Sequence, residues 1–302
     1  MNHKLLGQTA IQLPEIGLGT WNYFAGSEPL RAGLEAGALF IDTAEAYGSE
    51  PVIGDAIRGL RERVFLATKV SRDHLRRAEV IAAAEQSLRR LRTDWIDLYQ
   101  IHEPNPEIPL EETLEAMEEL VDAGKVRFIG VSNFSVLELE HARQAMRKHP
   151  IVSNQVRYNL VDRTIEGGLL AYCQTNHITV IAYSPLAREL QRLYDCDPHG
   201  VLAEVAREAG KTPPQVALNW CVYHNGVVAI PKSNSIAHIR ENCGASGWRL
   251  SASQFRWLDE AILFRRKTRL DSLVRRFTPP GAKPFLKQCV RRMPRSLRRR
   301  LN

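Results

Sequence analysis

The sequence predicts an α/β protein of the (β/α)8, or TIM, barrel class, preceded by a short hairpin and followed by extra C-terminal helices. Three observations carry that prediction. Eight apolar runs of strand length recur along the chain, they are almost continuously apolar, and segments with helical periodicity separate them. Continuous rather than alternating apolar character marks strands covered on both faces. A repeated strand–helix unit implies a parallel sheet, and eight such units imply a closed barrel. An open doubly wound sheet is the structural competitor, but no GxGxxG follows any of the runs.

Taken in order, HKLLGQTAIQLP reads as a hairpin capping the bottom of the barrel. The eight runs are PEIGLGTW, ALFIDTA, VFLATKV, WIDLYQIH, RFIGVSNF, IVSNQVRY, ITVIAYSP and GVVAIPKS. Between them, Leu110–Ala123 places Leu110, Leu114, Met117, Leu120 and Val121 on one helical face, with Gly124 where a C′ glycine belongs. Ser135 and Glu138 have capping-box spacing for a helix running to Lys148. Thr212 followed by Pro213 suits an N-cap and a first helical turn. A last helix, Ser251–Ile262, opens on Ser251 and Gln254, another capping box.

At 302 residues, with 44% hydrophobic and 25% charged residues, the chain is that of an ordinary globular protein. Its five cysteines (Cys173, Cys196, Cys221, Cys243 and Cys289) form no CxxC pair and no metal-ligand spacing, so reduced thiols and no metal are expected. The N-terminal stretch lacks a secretory apolar core, and no run approaches the roughly 20 residues that span a bilayer. Cytoplasmic residence is the expectation.

The net charge of +7 conceals an asymmetry. Positions 265–302 hold 14 Lys/Arg against one acidic residue, Asp271; removing these from the totals of 41 and 34 leaves 27 basic and 33 acidic residues at 1–264. The chain therefore divides into a mildly acidic body, 1–264, and a basic tail, 265–302. In the tail, Leu270, Leu273, Val274 and Phe277 have helical spacing, as do Leu286, Cys289, Val290, Met293, Leu297 and Leu301. Apolar stripes among arginines suit an anionic membrane surface or an acidic partner; a solvated extension or helices docked on the body are the plainer readings. No nucleic-acid-binding motif accompanies the charge, which argues against sequence-specific nucleic-acid recognition.

The chemistry gathers at the ends of successive runs. Asp42 and Tyr47 lie in FIDTAEAYG, Lys69 in VFLATKV and His102 in IDLYQIH. Parallel barrels carry their active sites at the carboxyl ends of the strands, so neighbouring runs would bring these four together. A phenol, an ammonium, a carboxylate and an imidazole can protonate a carbonyl oxygen while a bound cofactor donates hydride. Free tyrosine, with a pKa of about 10, is a weak acid; a nearby ammonium is expected to make it a better donor. Each residue singly would read as a rim or packing residue. Trp21, Tyr23 and Phe24 follow the first run and either wall the substrate site or pack the barrel mouth.

An ordered series of motifs now resembles the aldo-keto reductase superfamily, from about Lys4 to Trp248. It comprises GLGTW at 17–21, FIDTAEAYGSE at 40–50, ATKV at 67–70, DLYQIH at 97–102, GKVRFIGVSNFS at 124–135, NQVRYN at 154–159, AYSPLA at 182–187 and IPKS at 230–233. The resemblance implies an NAD(P)H-dependent reductase of aldehydes or ketones, with Tyr47 as general acid, Lys69 and Asp42 tuning it and His102 orienting the substrate. It further implies cofactor contacts at Thr20, Trp21 and Ile230. Ser132, Asn133 and Gln155 would bond the nicotinamide carboxamide, Tyr183 would stack on its ring, and Ser184 and Leu186 would follow the pyrophosphate. Lys232 and Ser233 would meet the 2′-phosphate of NADPH, and Glu241 and Asn242 the adenine, with His238 a further cofactor-binding position.

Two positions depart from the family pattern. His238 stands where many relatives carry arginine, which leaves NADPH preferred through Lys232 and Ser233 but by a reduced margin, with NADH use open. Glu103 replaces an aromatic residue that some relatives carry after the histidine, so the substrate does not transfer by analogy. A monomer or weak oligomer is expected. The rival reading is a non-catalytic nicotinamide-binding regulatory subunit tethered through the tail to a membrane or acidic partner.

Overall fold

The computed structural model describes residues 1–264 of the chain. The readings made for the tail at 265–302, including its helical stripes, its partners and its status as a separate unit, lie outside the described residues.

Two short antiparallel strands come first, β1 (His3–Leu5) and β2 (Gln12–Pro14). Eight parallel strands follow: β3 (Leu18–Gly19), β4 (Phe40–Asp42), β5 (Phe65–Val70), β6 (Ile96–Ile101), β7 (Val126–Ser132), β8 (Ile151–Arg157), β9 (Thr179–Tyr183) and β10 (Val227–Ile230). The helices are α1 (Ser27–Glu35), α2 (Glu50–Ala56), α3 (Arg77–Leu91), α4 (Leu110–Asp122), α5 (Val136–Ala145), α6 (Leu169–Thr175), α7 (Leu190–Asp195), α8 (Val201–Ala209), α9 (Pro213–Tyr223), α10 (Ile236–Cys243) and α11 (Ala252–Ala261). Each of the eight apolar runs overlaps one barrel strand, and every residue of β5 and β6 is buried. No helix among the described residues is long and apolar enough to cross a membrane.

The eight strands pair in chain order from β3 to β10. The seam closes where Ile16 bridges Ala229 in parallel. There the Gly17 amide donates to the Ala229 carbonyl at 2.8 Å, and the Gly19 amide to the Pro231 carbonyl at 3.0 Å. A Cβ at Gly19 would lie 2.6 Å from the Ile230 carbonyl oxygen, so glycine is what lets the first and last strands meet. The hairpin plugs the opposite end: Leu6 and Leu13 are fully buried and pack with Phe40, Phe65, Leu98 and Val228. Lys4 ties it down by donating to the carbonyls of Val222, His224 and Val227.

The capping boxes at Ser135, Thr212 and Ser251 all form. One boundary differs from expectation, since α5 ends at Ala145 rather than Lys148. The Glu118 carboxylate accepts from the backbone amides of Arg147, Lys148 and His149 at 3.1, 2.6 and 2.9 Å. A carboxylate from α4 thus takes the amides that a further helical turn would use. After β9 the chain makes three helices before β10, and the Leu263 amide returns to the Cys196 carbonyl just past α7.

Closing the seam on a glycine makes it intolerant of bulk. Gly19→Ala is expected to destabilise the fold by about 1–3 kcal/mol, read as a lowered urea midpoint. An unshifted midpoint would show that the seam has slack.

Candidate active site

Strand register brings the chemistry to one end of the barrel. Asp42 is the last residue of β4, Lys69 pairs with Gln100 across β5 and β6, and Gln155 pairs with Ser132 across β7 and β8. His102 follows β6 and stays in register, its amide donating to the Val70 carbonyl at 3.0 Å. Tyr47 ends a 3-10 turn, Glu45–Tyr47, that Gly48 breaks at φ +69°. Glu45 pins this turn to the neighbouring loop by accepting from the Ser71 amide at 2.6 Å, with His74 Nδ1 at 3.0 Å.

At the base lies an ion pair sealed from water. Lys69 has no exposed surface, and its Nζ donates to Asp42 Oδ1 at 2.6 Å and to the Thr43 carbonyl at 2.7 Å. Asp42 Oδ2 accepts from Gln155 Nε2 at 2.7 Å and from Gln100 Nε2 at 3.2 Å. A buried charge is tolerable only when paired and hydrogen-bonded on its remaining sites, and these contacts meet that condition. Gln100 was not among the residues singled out from sequence; its place opposite Lys69 and two residues before His102 was the available signal.

Tyr47 and His102 stand above the pair. The phenol oxygen lies 3.3 Å from His102 Nε2, and Lys69 Nζ sits 5.0 Å from the centroid of the Tyr47 ring. Burial pushes the His102 pKa down to about 4, and the Lys69 charge adds to the effect. The imidazole is therefore neutral at physiological pH. Here the expected tuning of the tyrosine is corrected. Burial raises the Tyr47 pKa, and the negative charges of Asp42 and Glu103 raise it further. Lys69 approaches the ring face, and Asp42, hydrogen-bonded to it, offsets its charge, so the phenol is held as an acid that keeps its proton until a base forms beside it.

From this point a cleft of about 950 Å3 extends across the barrel mouth. Thr20, Trp21, Ser132, Asn133, Gln155, Tyr183, Ser184, Leu186, Ile230, Lys232, Ser233, His238, Glu241 and Asn242 all line it, together with Asp42, Tyr47 and His102. Lys69 lies beneath its floor. Tyr183 is held by a hydrogen bond from its hydroxyl to Asn133 Oδ1 at 3.0 Å, with the Arg157 guanidinium 5.7 Å from its ring. Asn133 Nδ2 in turn donates to the His102 carbonyl and to Ser132 Oγ, each at 3.1 Å. Gln155 spends its amide nitrogen on Asp42, and no described residue donates to its Oε1. Thr20 turns its hydroxyl to the Asp42 carbonyl at 2.9 Å, so it offers the cleft shape rather than a donor.

The residues present fit a nicotinamide dinucleotide phosphate. Amide and hydroxyl groups and an aromatic face line it together with Tyr47, and so do Lys232, Ser233 and His238, which run from just after β10 into the first turn of α10. Lys232 makes no ion pair with a described carboxylate; its Nζ rests 5.1 Å from the Phe24 ring centroid. Arg240 is exposed and does not line the cleft, so it does not substitute for an arginine at 238. The three aromatics after β3 divide: Trp21 lines the cleft, Tyr23 is buried with its hydroxyl donating to the Gly26 carbonyl at 2.7 Å, and Phe24 is 84% exposed beside Lys232. Arg188, Glu189 and Pro214 also line the cleft and were not anticipated. Arg188 adopts φ +72° and sets its guanidinium 4.9 Å from the Trp21 ring centroid.

Comparison with known proteins agrees with this geometry. The chain is 39% identical over 274 residues to methylglyoxal reductase YeaE of Escherichia coli strain K12, covering 86% of this chain and 95% of that protein. An aldo/keto reductase from Klebsiella pneumoniae in complex with NADP and acetate superimposes with a TM-score of 0.80 at 40% identity, over 89% of this chain and 99% of that one. An aldo-keto reductase structure from the same organism with NADPH gives 0.81 at 42% identity, over 89% and 98%. A family model described as the Aldo/keto reductase family matches residues 15–263. That match runs from the barrel seam through α11, and the chain belongs to the aldo/keto reductase family.

Proposed function

We propose that the protein reduces small-molecule aldehydes or ketones to alcohols with NADPH, Tyr47 delivering the proton. The observation that carries this reading is the Tyr47 hydroxyl set against neutral His102 above a buried Lys69–Asp42 pair, at one end of a cleft whose other end carries an unpaired lysine. Solved relatives described with NADP or NADPH support the choice of cofactor, and the reductase named above supports the reaction class. The regulatory reading finds no support in these relatives.

When bound, NADPH supplies hydride to the carbonyl carbon. Tyr47 and His102 hold the carbonyl oxygen between two polar groups and fix its direction. As negative charge gathers on that oxygen, its proton affinity passes that of the phenolate, and Tyr47 transfers its proton. Lys69, beneath the ring, stabilises the phenolate left behind until solvent restores the proton. Gln155 Oε1 would accept from the carboxamide nitrogen, Ser132 and Asn133 would border it, and Tyr183 would supply a flat wall. Lys232 and Ser233 would hold the 2′-phosphate, where a cation and a hydroxyl suit a dianion.

Tyr47→Phe is expected to lower carbonyl reduction by about 10²–10⁴-fold while NADPH affinity, followed by fluorescence titration, stays the same. Retained turnover would end the assignment. Because His102 is neutral above about pH 4, the reduction rate should lack an acid limb near pH 6.5 and should fall only as the imidazole protonates below it. The same depressed pKa gives the sign of a stability effect: between the folded and unfolded values the unfolded chain binds more protons, so stability falls as pH drops through that window. Lys232→Ala should cut kcat/KM for NADPH by about 10- to 100-fold and spare NADH, whereas His238→Arg should widen the NADPH:NADH ratio. Equal kcat/KM for the two cofactors in the unsubstituted chain would remove the preference.

A further inference from the structure

Glu103 is a carboxylate placed at the reacting end of the cleft without a counter-ion. It lines the cleft directly after His102, and among the described residues it makes no ion pair or hydrogen bond. Nearby carboxylates are otherwise engaged: Asp42 is saturated by Lys69, Gln100 and Gln155, and Glu45 by Ser71 and His74. Burial raises the pKa of both Tyr47 and Tyr183, and the negative charge of Glu103 adds a smaller push in the same direction at each. Of the cations around it, Arg188 lies over Trp21, and Arg157, beside the Tyr183 ring, faces Asp162 at 3.9 Å.

A substrate that puts its carbonyl oxygen between Tyr47 and His102 must direct its substituents toward the surrounding walls. One of those walls carries this unpaired anion. Glu103 is exposed at the rim of the cleft, where a carboxylate adjacent to the carbonyl would meet like charge and a hydroxyl there could donate to it.

We propose that Glu103 sets the charge class of the substrate, selecting carbonyl compounds with a neutral hydrogen-bond donor beside the carbonyl and rejecting those with a carboxylate there. The reductase reading underlies this assignment, but the charge selection itself is a property of the cleft. Specificity of this kind arises as much from repulsion of the wrong ligand as from attraction of the right one.

The test uses the full chain and Glu103→Gln, which keeps size and removes charge. With NADPH, glycolaldehyde and glyoxylate differ at the group beside the aldehyde, a hydroxymethyl against a carboxylate. The ratio of their kcat/KM values should favour glycolaldehyde and should fall about tenfold in Glu103→Gln. In parallel, acetate is titrated calorimetrically into NADP+-saturated protein, with acetamide as the neutral match. Acetate affinity should rise about tenfold in the variant while acetamide affinity holds, a selectivity that a merely structural role would not produce. A kinetic ratio unchanged within about twofold overturns the proposal. If the unsubstituted chain turns over neither aldehyde, no kinetic ratio exists and the acetate titration decides: tighter acetate in the variant upholds charge selection, and unchanged acetate overturns it.

Discussion

Burying an ammonium ion in the wall of a barrel is the constraint from which the rest of the site follows. Lys69 has no exposed surface, and burial alone lowers its pKa, an effect that Asp42 opposes. Keeping the charge requires a carboxylate in contact and further partners on both groups. Asp42, Thr43, Gln100 and Gln155 meet that demand from three other strands and one loop. The network therefore locks four strand ends together before any ligand arrives. Its consequence for chemistry is indirect. Burial, and after it the Asp42 charge, raises the Tyr47 pKa, so the phenol keeps a tightly held proton that suits release only to the strong base that carbonyl reduction generates.

The cleft shows the same division between fixed floor and variable rim. Strand-end residues such as Gln155 and Ser132 are held by the sheet, and Tyr183 is held through Asn133. The rim is made by loops, where Arg188 and Glu103 stand and where chemistry can vary without disturbing the barrel. The charge distribution follows this plan: a lysine without an ion-pair partner at the cofactor end and an unpaired glutamate near the reacting end. On the proposed assignments, cofactor and substrate are selected by different residues of one groove.

Much of this was legible in the chain because it depends on local pattern. Continuous apolar runs gave the eight strands, and polar residues at the ends of neighbouring runs gave Asp42, Tyr47, Lys69 and His102. Capping residues gave helix starts at Ser135, Thr212 and Ser251. Helix ends were less legible: α5 stops early because Glu118, from another helix, captures its would-be amides. Gln100 escaped notice because its importance lies in a contact with Asp42, 58 residues away. The direction of the Tyr47 shift was missed for the same reason, since a motif lists the lysine beside the tyrosine but not the depth of burial or the ion pair that offsets its charge.

The sequence by itself therefore determined the barrel and the set of reactive groups, encoded in periodicity and in residue types at strand ends, while its resemblance to the aldo-keto reductases implied the cofactor. Tertiary structure decided protonation, orientation and which charges remain unpaired. The physical reason is that desolvation and Coulomb interactions depend on distances between atoms remote in the chain. Gln155 reaches Asp42 across 113 residues, and only the closed barrel brings them within one hydrogen bond.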